Sequence, residues 1–445
     1  MEGQMIIRDE EELFKIVREK NVSFIQFWFT DVLGVLKSFA ITPSELETGI
    51  EGMGFDGSSI EGFARIEESD MIAKPDIRTF AFVPWRTQDA PVARMFCDIL
   101  NPDGTPYGGD PRYVLKRMLK RVVDKGYTFY VGPELEYFYF KDNKGTEGLD
   151  TGGYFDARPL DMGSDLRRQT ILALQGMGVR VEYSHHEVAP SQHEIDLRYD
   201  EALLMADKTM TYRVVVKEIA RQFGCYATFM PKPVFGINGS GMHVHQSLFQ
   251  GDKNLFFDRD DEFHLSVMAK QYIAGLMKHA REITAVTNQW VNSYKRLLPG
   301  YEAPVYISWA RRNRSTMVRV PMYKPGKEVA TRIEFRAPDP ACNPYLAFAV
   351  MLAAGLKGIE KGYELCAPIE EDIFEMLPAE IEARRIKTLP GNLYEAICEV
   401  EKSELVREAL GDHVFNKFIQ NKKIEWDEYR THVSRYEIEK YLPIM

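Results

Sequence analysis

Five glutamates and a histidine sit where hydrophobic strands are expected. Glu134 and Glu136 interrupt Tyr127–Phe140, an aromatic and β-branched run that otherwise reads as a strand deep in a sheet. Two residues apart, their side chains leave the same face, roughly 6–7 Å from each other. Two ionised carboxylates at that separation repel by about 2–3 kcal/mol at an effective dielectric of ~20. Burial adds a desolvation cost, so a cation is expected between them. The alternatives are a strand end facing solvent or pairing with arginines.

The stretch Val179–Tyr199 repeats the problem. Two alternating segments flank Ala189-Pro190-Ser191, and a tight turn at Pro190–Ser191 sets Glu187 opposite Glu194, His185 opposite Asp196 and Tyr183 opposite Arg198. A slip of one residue would separate the two glutamates. Downstream, the glycine-rich Gly236–Gly241 feeds a predicted strand, Met242–Phe249, with His243, His245 and Ser247 on one face. Glycines there allow a ligand to approach the backbone, although no phosphate-binding GxxxxGK[ST] motif occurs. Arg311, Arg312, Arg314 and Arg319 crowd Trp309–Pro321, and Arg332, Glu334 and Arg336 share a face of Thr331–Ala337. Alone, the last three read as an ion-pair ladder.

Taken together, Glu134, Glu136, Glu187, Glu194, Glu334 and His243 form an oxygen-rich set with one imidazole, which suits Mg²⁺ or Mn²⁺ rather than zinc. Five carboxylates carry enough charge for two divalent ions. Two ions plus separate guanidiniums is equipment for phosphoryl transfer, pointing to a nucleotide-using enzyme with an anionic substrate.

The elements that must position these groups follow from patterning. Val22–Phe29 and Val35–Ile41 form a predicted hairpin around Asp31–Gly34, and Asn101–Asp110 reads as a linker. Helices are expected from Asp110-Pro111 to about Lys125, over Ser164–Met177, Ala202–Phe223 and Asp260–Thr287, and from Asn343-Pro344 to about Gly362. The 445 residues allow two or three domains. A net charge of -10 argues against nucleic-acid or anionic-membrane binding. Five scattered cysteines without a CxxC suggest neither a disulfide framework nor a thiolate zinc site, and fit a reducing cytoplasm. Met1–Glu12 is too charged for a signal peptide, and Tyr345–Leu356 is too short to span a membrane.

Five ordered motifs carry a family resemblance: Phe55-Asp-Gly-Ser-Ser-Ile60, Gly132-Pro-Glu-Leu-Glu136, Asn238-Gly-Ser-Gly-Met-His-Val-His245, Arg296-Leu-Leu-Pro-Gly-Tyr-Glu-Ala-Pro304 and Arg332-Ile-Glu-Phe-Arg336. Together they resemble type I glutamine synthetases, nearly end to end, and the lack of a long late insertion resembles the shorter alpha-type branch. The resemblance implies an α+β fold. A β-grasp-like N-terminal domain, residues 1–103, would precede a catalytic domain, residues 104–445, built on a curved antiparallel sheet flanked by helices. It also implies a dodecamer of two stacked six-membered rings with active sites between subunits.

The resemblance further assigns roles. Glu136, Glu187 and Glu194 would hold one metal, and Glu134, His243 and Glu334 a second, on the phosphates of ATP. Asn238, Gly239, Arg296 and Arg336 would bind glutamate, while Arg314 and Arg319 would steady the transferring phosphoryl group. His245, Ser247, Arg332 and Glu182 would contact ATP. Asp56 of a neighbouring subunit would help bind ammonium, with Ser59, Tyr154 and the lid residue Glu302. Arg65 resembles a residue tied to glutamine feedback; a pair with Glu67 or Glu68 is the plain alternative. Tyr394 lies near a tyrosine that is adenylylated in the longer branch, but the residues that usually follow it are missing, so no adenylylation is expected. Lys327 does not align with the family's ATP-site lysine. The implied reaction is ATP-dependent ligation of ammonia to the γ-carboxylate of L-glutamate. Its rivals are a glutamate–polyamine ligase and a catalytically silent scaffold that senses nitrogen beside a regulatory protein.

Overall fold

The computed structural model describes residues 7–62, 70–85 and 90–445. Arg65, the expected feedback residue, lies outside them.

Alternating apolar residues build a first sheet from β1 (Phe24–Thr30), β2 (Leu36–Ile41), β3 (Met53–Asp56), β4 (Asp70–Pro75), β5 (Ala81–Phe82) and β6 (Val92–Leu100). β1 and β2 form the expected hairpin. Asp31 closes it by accepting from the Leu33 and Val35 amides at 3.0 and 2.8 Å, and Gly34 takes the left-handed turn position at φ 77°. β1 then runs parallel to β6. The order β2-β1-β6-β4-β3, with β5 on β6, is a β-grasp arrangement.

The second sheet grows around β7 (Thr128–Phe140). Its other strands are β8 (Val181–His186), β9 (Gln192–Leu197), β10 (Asp200–Glu201), β11 (Tyr226–Thr228), β12 (Met242–Gln250), β13 (Lys253–Asn254), β14 (Tyr306–Ala310), β15 (Thr316–Arg319) and β16 (Ile333–Phe335). The path is β14-β15-β16-β12-β7-β9-β8. It is antiparallel except where β14 runs parallel to β15, so the sheet is mixed rather than wholly antiparallel. Leu135, Tyr137 and Tyr139 point from β7 into the main core, while Phe138 and Phe140 pack on the opposite side against Ala189. Glu134 and Glu136 share this second face, as a period of two requires.

Helices cover the apolar face. Pro344–Lys361 is buried almost all round, capped by Asn343 and ended by Gly362 in the left-handed region. It crosses the helix Val267–Lys278 at bare backbone: a Cβ on Gly275 would lie 2.2 Å from the Ala354 carbonyl, and one on Gly358 2.0 Å from that of Gln271. The single helix expected over Asp260–Thr287 is instead two, Val267–Lys278 and Ala280–Thr287. Asp261 turns the chain before them by accepting from the Phe263 and Leu265 amides, and Ser266 caps the first helix. A capping side chain here competes with helix continuation.

One buried guanidinium ties the two sheets together. Arg112 follows the Asp110 cap of the helix Pro111–Val123. It donates to Asp98 at 2.6 Å and Asp76 at 2.9 Å in the first unit, and to both oxygens of Asp207 at 3.1 and 3.0 Å in the helix Ala202–Gln222. Tyr345 also donates to Asp207, at 2.6 Å. Arg112→Met leaves these carboxylates facing one another and is expected to destabilise the protein by about 3–5 kcal/mol, measured by urea unfolding.

Candidate active site

Glu134 and Glu136 open into a cavity of about 270 Å³. Of the residues singled out in the sequence, Glu134, Glu136, Glu187, Glu194, His243 and Glu334 line it with Tyr154, Asn238, Gly239, Arg296, Glu302, Arg314, Arg319 and Arg336. A second cavity of about 210 Å³ shares Glu134 with it and is lined by Glu182, His245, Ser247 and Arg332. Asp56 and Ser59 border neither cavity; they sit at the end of β3 and in the turn after it, in the first sheet's unit.

Strand register builds the first anionic cluster. β12 pairs with β7 so that His243 faces Glu134, and with β16 so that His245 faces Glu334. His243 Nδ1 lies 3.6 Å from Glu134 Oε2 and 3.7 Å from Glu334 Oε1. These gaps are too long for hydrogen bonds, but they suit ligands on one ion with bonds of about 2.0–2.2 Å. The ligand atoms of Glu134, His243 and Glu334 all lie within 4.8 Å of one another. Burial pushes the Glu134 carboxyl up, but His245 and His243 hold it well below the usual carboxylate range. Glu334 is likewise kept ionised, against burial, by Arg336. Arg336 donates to its Oε1 at 2.7 Å, and Arg319 donates to its Oε2. Arg332 turns instead to His245 Nδ1, at 3.1 Å, so the expected three-residue ladder is only a pair.

The second cluster lies on the β8–β9 hairpin, whose register differs from expectation. His185, not Glu187, faces Glu194, and Tyr183 faces Asp196. The turn does close at Pro190–Ser191, where the Gln192 amide donates to the Ala189 carbonyl at 3.0 Å. The Glu187 amide already pairs with the Gln192 carbonyl at 2.8 Å, so Val188 and Ala189 are looped out and the ladder shifts by two. An even shift preserves the face, and Glu187 and Glu194 still converge.

His185, Glu187 and Glu194 form the tight three-ligand group here. His185 Nε2 lies 2.8 Å from Glu187 Oε1. Glu136 stands slightly apart, its Oε2 accepting from the Gly241 amide at 2.9 Å and Gln192 Nε2 at 2.8 Å. Burial and the charge on Glu187 push the Glu136 carboxyl up to about 8. Burial and Asp196 push Glu194 well above its usual range. Both shifts mark a site short of positive charge, which is the condition a divalent cation relieves.

Around these clusters, Gly239 and Gly241 lie close against other parts of the chain. A Cβ on Gly239 would lie 2.3 Å from the Pro231 carbonyl, and one on Gly241 2.7 Å from Arg296 Nη2. They admit the Arg296 side chain, which donates to the carbonyls of Ala337, Pro338 and Arg336 at 2.7–3.1 Å. Of the four arginines in Trp309–Pro321, only Arg314 and Arg319 reach the cavity; the Arg311 and Arg312 amides are anchored by Glu370. At the mouth, Glu302 holds a left-handed backbone, φ 56°, and accepts from Asn238 at 3.0 Å. Sequence reasoning missed Gln192, His185 and Asp196 as members of the site. The period-two spacing of Gln192, Glu194 and Asp196, and of His185 and Glu187, carried that signal.

Two family models cover nearly the whole chain. "Glutamine synthetase, beta-Grasp domain" matches residues 21–102, and "Glutamine synthetase, catalytic domain" matches residues 108–441. The chain belongs to the glutamine synthetase family. It is 53% identical to the glutamine synthetase of Mycolicibacterium smegmatis over 98% of this chain and 100% of that one. Identity to the Methanosarcina mazei glutamine synthetase is 52%, over 98% of each chain. Among solved structures, the cryo-EM structure of Plasmodium falciparum glutamine synthetase superposes with a TM-score of 0.87 at 25% identity, covering 99% of this chain and 100% of that one. A GmaS/ADP complex superposes at 0.88 with 32% identity, covering 97% and 99%.

The residues present fit divalent cations, on the ligand spacing and charge shortage described above. Glu194→Gln is expected to leave the metal-free protein no less stable than wild type. It should remove most of the rise in melting temperature that millimolar Mn²⁺ produces, compared with EDTA, in a thermal-shift measurement.

Proposed function

We propose that this protein is a glutamate–ammonia ligase that couples ATP to the formation of glutamine, of the type I, alpha-type branch. The observation that carries this reading is the two carboxylate–imidazole clusters sharing one cavity with Arg314 and Arg319. Glu134 joins that cavity to one bearing the candidate nucleotide contacts. When bound, Mg²⁺ or Mn²⁺ ions held by Glu134, His243 and Glu334, and by Glu136, Glu187 and Glu194, would neutralise phosphate charge and polarise the transferring group.

The chain's own groups supply the rest. Arg296, Arg336, Asn238 and Gly239 bind glutamate. His245, Ser247, Arg332 and Glu182 hold ATP, and the recorded complex of GmaS with ADP supports a nucleotide in this fold. Glutamate's γ-carboxylate is a poor electrophile, so its oxygen attacks the γ-phosphorus of ATP, giving γ-glutamyl phosphate and ADP. Arg314 and Arg319 fork onto the phosphoryl oxygens and stabilise charge growing there. Ammonium has no free lone pair, so a carboxylate takes its proton before ammonia attacks and phosphate leaves. Glu302 and Tyr154 stand at the cavity for this step, with Asp56 and Ser59 supplied by a neighbouring copy. Water would hydrolyse the acyl phosphate, which gives closure over Glu302 a purpose.

Residues 1–103 and 104–445 form the two domains of this scheme. Twelve copies in two stacked rings in the cytoplasm are the assembly it calls for, and nitrogen-regulatory proteins are candidate partners. No described helix is long and apolar enough to cross a membrane.

Two experiments test the proposal. Phosphate release from ATP with Mg²⁺ and glutamate should depend on ammonium. Release only with a polyamine would establish the amine-ligase rival, and no release at all would favour the scaffold. Co-expressing Asp56→Ala with Arg314→Ala should restore roughly a quarter of wild-type activity through hybrid sites between subunits. Two inactive variants that stay inactive together would place the whole site within one chain.

A further inference from the structure

The β8–β9 hairpin has two faces, and the mechanism above uses one. On the other, His186 faces His193 in the ladder, one residue before Glu187 and Glu194 respectively. Both imidazoles are fully buried. Between them sits Asp150, which arrives from the loop after β7 with its side chain 1% exposed.

We infer that Asp150 is a positioning residue that locks the back of this hairpin and so sets the separation of Glu187 and Glu194. This rests on those two glutamates being metal ligands. Asp150 Oδ1 meets His186 Nε2 at 3.0 Å and accepts from the Ser191 amide at 2.9 Å. Its Oδ2 accepts from the Met162 amide at 3.0 Å. The Asp150 amide donates to Ser191 Oγ at 3.0 Å. Ser191 is the turn residue with a left-handed backbone, φ 62°, a conformation that costs a non-glycine residue free energy and needs such support. His186 Nδ1 donates to the Glu187 carbonyl at 2.7 Å, so the lock reaches the backbone of a candidate ligand. The loop closes tightly over both rings: a Cβ on Gly152 would lie 2.8 Å from His186 Nε2, and one on Gly163 2.5 Å from His193 Cε1.

Asp150, His186 and His193 have the spacing of a third metal group, with ligand atoms within 4.8 Å of one another. Hydrogen bonding argues against that use. Arg167, held by both oxygens of Asp161 at 3.0 and 2.6 Å, donates to His193 Nδ1 at 2.7 Å. An arginine can only donate, so His193 Nδ1 spends its lone pair there and Nε2 carries the proton. Coordination through Nε2 would need a second lone pair. The cluster therefore acts as a fixed support behind the ligands, as groups one shell out from a metal do.

The test measures Mn²⁺ binding by titration calorimetry on the full-length protein without nucleotide, and ADP binding separately. Asp150→Ala should weaken Mn²⁺ binding roughly 10–100-fold, with ADP binding and oligomeric state unchanged. Asp150→Asn keeps an acceptor for the Ser191 amide and should recover part of the loss. Wild-type Mn²⁺ affinity in Asp150→Ala would overturn the inference. So would a parallel fall in Mn²⁺ and ADP binding in both variants, or a third bound metal in wild type that Asp150→Ala removes. Glu194→Gln is the control: if it too leaves Mn²⁺ binding intact, the ligand assignment has failed rather than the role of Asp150.

Discussion

Like charges crowd one face of a sheet whose other face must stay dry. β7 sends Leu135, Tyr137 and Tyr139 into the core and Glu134 and Glu136 the opposite way. β9 and β16 bring Glu194 and Glu334 to the same cavity. The backbone hydrogen bonds that hold these strands cannot relax without breaking the ladder, so the carboxylates cannot drift apart. The repulsion is a fixed property of the fold, and cations resolve it. Neighbouring histidines hold the Glu134 carboxyl down, and the Arg336 guanidinium does so for Glu334. Glu136 and Glu194 are left with raised affinities for protons. The contrast separates carboxylates that stay ionised without a metal from two that a bound cation would relieve of their protons.

Much of the remaining structure keeps that geometry rigid. Arg112 clamps both units through three aspartates. Bare backbone at Gly275 and Gly358 lets two core helices cross closely beneath the sheet. Gly239 and Gly241 leave room for Arg296 under the site, and Asp150 braces the hairpin from behind. Each is a short-range device that fixes a side chain or turn by packing, hydrogen bonds or ion pairs within the chain, so each tolerates the absence of a ligand. Preorganised groups of this kind lose little freedom when the reaction begins.

Sequence alone determined most of the elements and which strand residues share a face. Period-two alternation fixed which residues share a face of β7, β9, β12 and β16, because successive strand side chains point to opposite sides whatever the partner strand is. Cap chemistry at Asp110, Asn343 and Gly362 located helix ends for an equally local reason. Register was not local. The two looped-out residues before Ser191 moved His185 opposite Glu194, and only the hydrogen bonds to Gln192 and Asp150 decided that. Tertiary packing likewise decided that Arg314 and Arg319 enter the cavity while Arg311 and Arg312 are tied to Glu370, that the glycines serve Arg296, and that Asp56 stands away from the site within one chain. Side-chain direction follows from the alternation of a single strand, whereas distance between two charges depends on strands far apart in the chain, and that is set only when the whole sheet has closed.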